Sequence, residues 1–198
     1  MLYKIGRMLC IILTRILFRI EVAGEQNIPQ AQGYILVANH RSNFDPMFVV
    51  QKMHAQVHFM AKAELFRNKL FGRLLLAVGT FPVERGRGDT GAIDWAKNVI
   101  TQGRVLGMFP EGTRSTDGTP LRPKSGAALI AMQTGADILP CAVCFGERLR
   151  FRSKVTVRYG ALIKNEELGI SQAGSTHEIK VASRLMMDEI KKLMEAGS

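Results

Sequence analysis

Residues 39–45, which read NHRSNFD, carry the side chains best suited to acid–base chemistry. They follow the apolar run 34–38, which predicts a β-strand that ends just before His40. Asp45 precedes Pro46, an order typical of a helix N-cap followed by proline at the first helical position. A loop of this length lets the Asp45 carboxylate accept from one imidazole nitrogen and leaves the other as the acceptor that a general base requires. The spacing also fits a capping aspartate beside an unrelated polar histidine.

A second segment, residues 79–86, reads GTFPVERG and contains one basic side chain, Arg85. Its apolar residues predict a strand, and Arg85 follows at the strand end. An arginine there can hold a phosphate group through its planar guanidinium. The alternative is a solvated charge at the end of a strand.

A third segment, residues 109–115, reads FPEGTRS and is the most specific of the three. Gly112 permits a tight turn, and Thr113 and Arg114 supply hydrogen-bond donors for an anion. Glu111 is placed to orient Arg114 or a substrate hydroxyl. The segment therefore predicts an anion-binding loop.

The elements that must position these residues alternate along the chain. Strands are predicted at 34–38, 57–61, 80–84, 104–109, 137–145 and 154–160, and helices at 46–53, 69–78, 90–102, 125–134 and 176–194. This alternation predicts a single α/β domain, residues 21–198, with a largely parallel central sheet flanked by helices. In such sheets the ligand site lies at the carboxyl ends of the strands, and all three polar segments follow strands.

Residues 1–20 form a separate element, predicted to be an amphipathic helix that lies on a membrane surface. Its basic residues fall on one side, namely Lys4, Arg7, Arg15 and Arg19. Apolar residues at helical spacing line the other side, namely Leu2, Ile5, Leu9, Ile12, Ile16 and Ile20. The charges interrupt the apolar run too often for a spanning helix or a signal peptide. The alternative is an amphipathic helix packed on the core of the protein itself.

The charge and the cysteines limit the possible partners. A net charge of +10 favours a phosphate-bearing partner, such as an anionic membrane, a phosphorylated substrate or a nucleic acid. Nucleic acid is disfavoured because the chain lacks an aromatic-interleaved basic strand and a recognition-helix pattern. Cys141 and Cys144 lie three apart in a predicted buried strand, so they point to opposite faces and are interpreted as core residues. Three cysteines without an evident disulfide framework favour a reducing compartment.

In combination, these segments resemble the glycerophospholipid acyltransferases, specifically the 1-acylglycerol-3-phosphate acyltransferases. Residues 39–45 fit the N-H-x-S-x-x-D catalytic block of that family, residues 79–85 resemble its second block, and residues 109–115 match its F-P-E-G-T-R-S string. Residues 139–143 resemble its proline-containing fourth block, and residues 61–65 its K-x-E-L stretch. The resemblance extends over roughly residues 20–160.

The resemblance implies that an acyl group passes from acyl-CoA or acyl-acyl carrier protein to the sn-2 hydroxyl of lysophosphatidic acid, giving phosphatidic acid. His40 would be the base and Asp45 its partner. The substrate-binding residues would be Arg85, Arg114, Glu111, Gly112, Thr113 and Lys62. The expected site needs no metal or other cofactor, and the expected location is the cytoplasmic face of the cell membrane. The alternatives are an acyltransferase for glycerol 3-phosphate or another lysophospholipid, and a non-enzymatic module that binds anionic lipids.

Overall fold

Short apolar segments become the strands of one seven-stranded sheet in the computed structural model, which describes residues 2–30, 33–83, 90–171 and 173–196. The strands are β1 (Arg19–Ala23), β2 (Ile35–Ala38), β3 (Val57–Lys62), β4 (Phe81–Val83), β5 (Val105–Met108), β6 (Ile138–Phe145) and β7 (Lys154–Tyr159). The helices are α1 (Leu2–Leu17), α2 (Asp45–Phe48), α3 (Lys69–Ala77), α4 (Thr90–Thr101), α5 (Gly126–Thr134) and α6 (Thr176–Glu195). Short 3₁₀ turns lie at Glu25–Asn27, Ala63–Phe66 and Asn165–Leu168.

The strand order across the sheet is β1-β7-β6-β2-β5-β3-β4. Strands β6, β2, β5, β3 and β4 pair in parallel, β7 runs antiparallel to β6, and β1 runs parallel to β7. The predicted α/β fold with a largely parallel sheet is therefore confirmed. Because β2 lies between β5 and β6, the segments that leave the carboxyl ends of these strands meet at one edge of the sheet.

Helices cover both faces of the sheet. Ile35 and Val37 of β2 pack with residues of α4, α5 and α6, whereas Leu36 and Ala38 pack against the α2 side. All four side chains are buried, and a continuous apolar run of this kind is typical of a parallel strand covered on both faces. The exit of β2, where His40 lies, is thus held from both sides.

Strand β1 was not predicted, and the predicted helix 1–20 is three residues too long at its C-terminal end. Helix α1 ends at Leu17, and Arg19 and Ile20 lie in β1. Strand β1 pairs along its whole length with β7, and the Arg19 N–H donates to the Ser153 carbonyl. The partner strand is more than 130 residues away in the chain, so local helical periodicity did not reveal the pairing.

The predicted helix 46–53 is also shorter than expected, because α2 is a single turn. After Phe48 the chain continues in tight turns, with hydrogen bonds from Gln51 N–H to the Phe48 carbonyl and from Met53 N–H to the Val50 carbonyl. These hydrogen bonds join residues three apart, as in a 3₁₀ helix, in place of the four-residue spacing of an α-helix. The Gln51 side chain is buried and bonded to α1, which fixes these turns.

Helix α1 turns its polar side toward the protein and its apolar side outward. Arg7 donates to the carbonyls of Val50 and Gln51, and Arg15 donates to the Gln51 side-chain oxygen. Buried Thr14 accepts from the Gln51 amide. The exposed apolar residues of the helix, hereafter the α1 stripe, are Ile5, Met8, Leu9, Ile12, Leu13 and Ile16. The stripe therefore does not pack on the core of the protein. None of the helices among the described residues is both long and apolar enough to cross a membrane.

The interpretation of the two strand cysteines as core residues is confirmed for Cys141, whereas Cys144 is only half-buried. Cys141 is buried on the α2 side, while Cys144 lies near the Met194 carbonyl of α6, so the two sulfurs are on opposite faces. Both thiols are free, and burial raises the pKa of each.

Candidate active site

His40 and Asp45 meet at the carboxyl end of β2. The distance from His40 Nδ1 to Asp45 Oδ2 is 2.8 Å. The same carboxylate oxygen accepts the N–H groups of Arg41 at 2.6 Å and Ser42 at 2.7 Å. An oxygen that already accepts from two amides is an acceptor for the ring as well, so the geometry assigns the ring proton to Nδ1 and the lone pair to Nε2. That is the tautomer a general base requires.

The predicted role of Asp45 as a helix N-cap is wrong. Asp45 is the first residue of α2, and no side chain caps this helix. The Asp45 carboxylate points back to the loop before α2, because its Oδ2 atom accepts the Arg41 and Ser42 N–H groups and not those of the first helical turn. Asp45 Oδ1 is fully buried, and no described group donates to it.

Two aromatic rings fix the plane of the imidazole. Phe109 stacks on His40 with ring centroids 4.2 Å apart and an interplanar angle of 16°. Phe59 of β3 lies nearly parallel to Phe109 at 5.9 Å. Gly107 makes room for this stack, since a Cβ at that position would come within 2.2 Å of the Phe59 ring. The stack leaves His40 little freedom to rotate away from Asp45.

Glu111 bonds to the main chain, a role that was not predicted, and its predicted contact with a substrate hydroxyl stays a prediction. Its Oε1 accepts the His40 N–H at 2.7 Å and its Oε2 accepts the Leu121 N–H at 2.8 Å. Both oxygens are therefore occupied by main-chain donors, and no bond to Arg114 is present among the described residues. Burial raises the pKa of the Glu111 carboxyl, while its hydrogen bonds to Leu121 and His40 lower it in part. Glu111 positions the His40 backbone instead of orienting the arginine.

Two further motif residues, Asn39 and Ser115, form structural hydrogen bonds that were not predicted from the sequence. The Asn39 side-chain amide pairs with the main chain of Val143 in β6. Its NH₂ group donates to the Val143 carbonyl at 2.9 Å, and its oxygen accepts the Val143 N–H at 2.8 Å. These two bonds continue the β2–β6 ladder to His40. The Ser115 N–H donates to the His40 carbonyl at 2.8 Å. Both residues occur in the motifs, but their bonds join segments distant in the chain. Only the assembled sheet reveals their structural roles.

Lys124 also lies at the site without a signal in the sequence analysis. Gly112 has a left-handed backbone with φ of 69°, as predicted for a tight turn. A Cβ at Gly112 would come within 2.8–3.0 Å of Cδ, Cε and Nζ of Lys124. The Lys124 N–H donates to the Pro110 carbonyl, which holds the lysine beside the loop 109–115. The turn thus brings an ammonium group next to Thr113 and Arg114.

The remaining predicted residues surround this edge. Thr113 and Arg114 are exposed, and Lys62 is exposed at the end of β3, where it pairs with Val83. Arg85 lies outside the described residues. No group of three or more His, Cys, Asp and Glu side chains able to hold a metal occurs in the described part of the chain. The site therefore combines a histidine–aspartate pair with a nearby set of cationic and hydroxyl side chains.

Comparison with known proteins identifies the family of the chain. Residues 19–144 match the acyltransferase family. The chain belongs to that family. This acyltransferase chain is 33% identical over 124 residues to the 1-acyl-sn-glycerol-3-phosphate acyltransferase of Bacillus subtilis, covering 62% of this chain and 61% of the relative. It is 40% identical over 113 residues to the enzyme of the same name from Streptococcus pneumoniae, covering 56% of this chain and 41% of the relative.

The fold has a counterpart of known structure. The 1-acyl-sn-glycerophosphate acyltransferase PlsC of Thermotoga maritima matches this acyltransferase with a TM-score of 0.75 at 24% identity. The match covers 100% of this chain and 78% of that one, and it establishes the common fold. The alignments with the two relatives named above span only 61% and 41% of their lengths.

Proposed function

We propose that this acyltransferase moves a fatty acyl group from a thioester, acyl-CoA or acyl-acyl carrier protein, to the sn-2 hydroxyl of 1-acylglycerol 3-phosphate. The product would be phosphatidic acid. The observation that carries the proposal is the His40–Asp45 pair at 2.8 Å, held at the sheet edge with Nε2 as the acceptor. The names of the relatives from Bacillus subtilis and Streptococcus pneumoniae support the choice of acceptor.

In the proposed reaction, His40 Nε2 takes the proton of the substrate hydroxyl while the hydroxyl oxygen attacks the thioester carbonyl carbon. The carbon–sulfur bond then breaks, and the imidazolium returns its proton to the departing thiolate. Asp45 stabilises the imidazolium between these steps, because its buried carboxylate lies 2.8 Å from Nδ1. No protein nucleophile is required, since the thiolate is a good leaving group for direct attack.

The acceptor phosphate would bind to the cationic side of the site. Arg114, Thr113 and the Gly112 turn lie in the loop that also holds His40 through Glu111 and Ser115. To these we add Lys124, whose side chain lies over Gly112. Arg85 and Lys62 belong to the same proposed set. Binding the phosphate would fix the distance from the glycerol hydroxyl to the imidazole, which is how orientation lowers a reaction barrier.

A bilayer surface is the proposed setting of the reaction, at the cytoplasmic face of the cell membrane. The α1 stripe supports this, because Ile16 and Leu9 are 58% and 57% exposed although they are large and apolar. Exposed leucines of α3 and the preceding turn extend the apolar area, with Leu70 at 81%. Gly6 of α1 packs close to Val78, which joins the two regions. A contiguous apolar area of this kind is typical of a membrane contact.

An acceptor and donor panel tests the function. The purified protein is incubated with labelled oleoyl-CoA or oleoyl-acyl carrier protein and with 1-acylglycerol 3-phosphate, glycerol 3-phosphate or lysophosphatidylcholine. We expect phosphatidic acid as the main product, formed about a hundredfold or more slowly by His40→Ala. Faster transfer to glycerol 3-phosphate or to lysophosphatidylcholine would overturn the acceptor assignment. Lipid binding without transfer to any acceptor would instead indicate a non-enzymatic lipid-binding module.

A further inference from the structure

The turn between β6 and β7, residues 146–153, reads GERLRFRS and is hereafter the arginine loop. Arg148, Arg150 and Arg152 are exposed, and Phe151 is 72% exposed, an unusual position for a large aromatic ring. No described carboxylate lies within ion-pair distance of these arginines, so with Glu147 the loop carries a net charge of +2. An exposed aromatic ring between unpaired cations is unexplained by the proposed chemistry.

The arginine loop is bonded to the end of α1. The Arg152 N–H donates to the Leu17 carbonyl at 2.6 Å, and its guanidinium donates to the Arg15 carbonyl at 3.5 Å. These bonds satisfy carbonyls of the last helical turn, which otherwise lack partners. They also hold Arg152 in a left-handed conformation, with φ of 62°, that arginine seldom adopts. The two carbonyls belong to the residues on either side of Ile16 in the chain, so the arginine loop lies against the C-terminal end of α1, where the α1 stripe ends.

The other end of the loop is bonded to the candidate active site. Arg41, which follows His40, donates to the carbonyls of Phe145 and Gly146 at 2.7 Å and 3.1 Å. Its guanidinium also lies 4.1 Å above the Phe145 ring. Leu149 packs into the core on the α2 side. The loop therefore connects the segment that contains His40 to the end of the α1 stripe.

We infer that the arginine loop is a second membrane contact, and that it selects anionic phospholipids. Phe151 would enter the interfacial region at the end of the α1 stripe, and Arg148 and Arg150 would pair with lipid phosphates. Because the loop is bonded to the His40 segment, this contact sets how the site is oriented above the bilayer. The inference builds on the membrane setting in the proposed function and adds a surface outside α1. An acidic carrier protein is the other conceivable partner, but it would not explain an exposed ring in a loop that lies against the end of an apolar stripe.

The test compares Arg148→Ala/Arg150→Ala and Phe151→Ser with two controls of matched chemistry on α6, Lys180→Ala/Arg184→Ala and Val181→Ser. The control residues are exposed like those of the loop, and neither Lys180 nor Arg184 forms an ion pair with a described carboxylate. Arg152 is left unchanged so that its bonds to α1 remain. Binding is measured by sedimentation with phosphatidylcholine vesicles with and without phosphatidylglycerol. Activity is measured on 1-acylglycerol 3-phosphate in vesicles and in detergent.

We expect the double arginine variant to bind anionic vesicles about thirtyfold less tightly, since each of the two cations near such a surface contributes about 1 kcal/mol. Phe151→Ser should weaken binding to both kinds of vesicle, and the α6 controls should bind like the wild type. Activity should fall on vesicles and remain in detergent.

Equal losses in the α6 controls would overturn the inference, because net charge or apolarity alone would then explain the effect. A raised KM for acyl carrier protein with unchanged vesicle binding would also overturn it. Absence of acyl transfer by the wild type would refute the proposed reaction, while the binding comparison would still test the loop.

Discussion

Glu111 and His40 are joined directly, since the Glu111 Oε1 atom accepts the His40 N–H at 2.7 Å. The Ser115 N–H donates to the His40 carbonyl at 2.8 Å, so the loop that follows β5 holds the histidine backbone on both sides. The two most specific motifs of the chain are therefore parts of one hydrogen-bonded unit. The position of the proposed base depends on the loop proposed to bind the acceptor phosphate.

Replacing Glu111 with glutamine should therefore impair catalysis by disturbing the position of His40, without removing a contact to the substrate. Both Glu111 oxygens accept main-chain N–H groups, and an amide has only one acceptor, so one donor would face an NH₂ group. We expect a loss of about 1–3 kcal/mol in the free energy of unfolding and a lower kcat. Urea unfolding and kcat measurements check this. Glu167→Gln is the control, because the Glu167 carboxylate also accepts a main-chain N–H, that of Lys164, but at an exposed position far from His40 in the chain. An unchanged kcat in Glu111→Gln would contradict the positioning role.

Asp45→Asn separates the charge of the aspartate from its hydrogen bonds. An asparagine oxygen can still accept from His40, Arg41 and Ser42, but it cannot stabilise an imidazolium electrostatically. We expect kcat to fall about a hundredfold or more, as it should for His40→Ala, with folding retained. Circular dichroism and steady-state kinetics are the measurements. Exposed His54→Ala should leave kcat unchanged, and substantial turnover in His40→Ala would refute the general-base mechanism.

Gly112→Ala should disturb acceptor binding through Lys124. The new Cβ would require a left-handed alanine, at a cost of about 1–2 kcal/mol, and would displace the lysine side chain that lies within 3 Å. Gly135→Ala is a matched control, because Gly135 has nearly the same φ, 68°, and nothing within 4 Å of its Cβ position. We expect both variants to lose similar stability, and Gly112→Ala alone to raise KM for 1-acylglycerol 3-phosphate. Equal KM values would argue against a role for Lys124.

Polar substitutions in the α1 stripe should release the protein from vesicles. Ile12→Asn/Ile16→Asn changes only exposed side chains, so the contacts of Arg7, Thr14 and Arg15 with Gln51 remain. We expect at least a tenfold weaker partition, since burial of each side chain is worth about 1.5–3 kcal/mol. Flotation with vesicles measures it, with Val181→Asn as the exposed control. Unchanged flotation would contradict the membrane setting.

His58 should make the fold less stable in mild acid. Burial and the charge of Arg104 lower the pKa of this histidine below its ordinary value of 6.5. As the pH falls below 6.5, the unfolded chain binds the proton before the folded protein does, so the free energy of unfolding decreases until the pH reaches the folded pKa. His58→Gln should flatten this part of the pH profile in urea unfolding, and exposed His54→Gln should not. A profile that is unaltered by His58→Gln would contradict this assignment.

Local sequence patterns were sufficient for much of the fold. Local residue patterns predicted β2, β3, β5, β6 and β7 to within one residue at every end, and β2 shows the continuously apolar run that is typical of a parallel strand covered on both faces. The alternation of strands and helices then predicted that the polar segments share one sheet edge. Strand β1 was missed because its pairing with β7 is a contact between distant segments.

The sequence by itself predicted that His40 meets Asp45, because only four residues separate them and the segment resembles a known catalytic block, although the spacing alone also fitted a capping aspartate. Tertiary structure alone decided how the other motif residues are used. Glu111 binds two backbone amides and Lys124 covers Gly112, since packing brings those groups within reach. The tertiary structure also decided that α1 bonds to the rest of the protein through its polar side and exposes its apolar side. Amphipathic periodicity predicts that a helix has a polar face and an apolar face. Which face is buried depends on the groups that pack against the helix, and these are set by the tertiary structure.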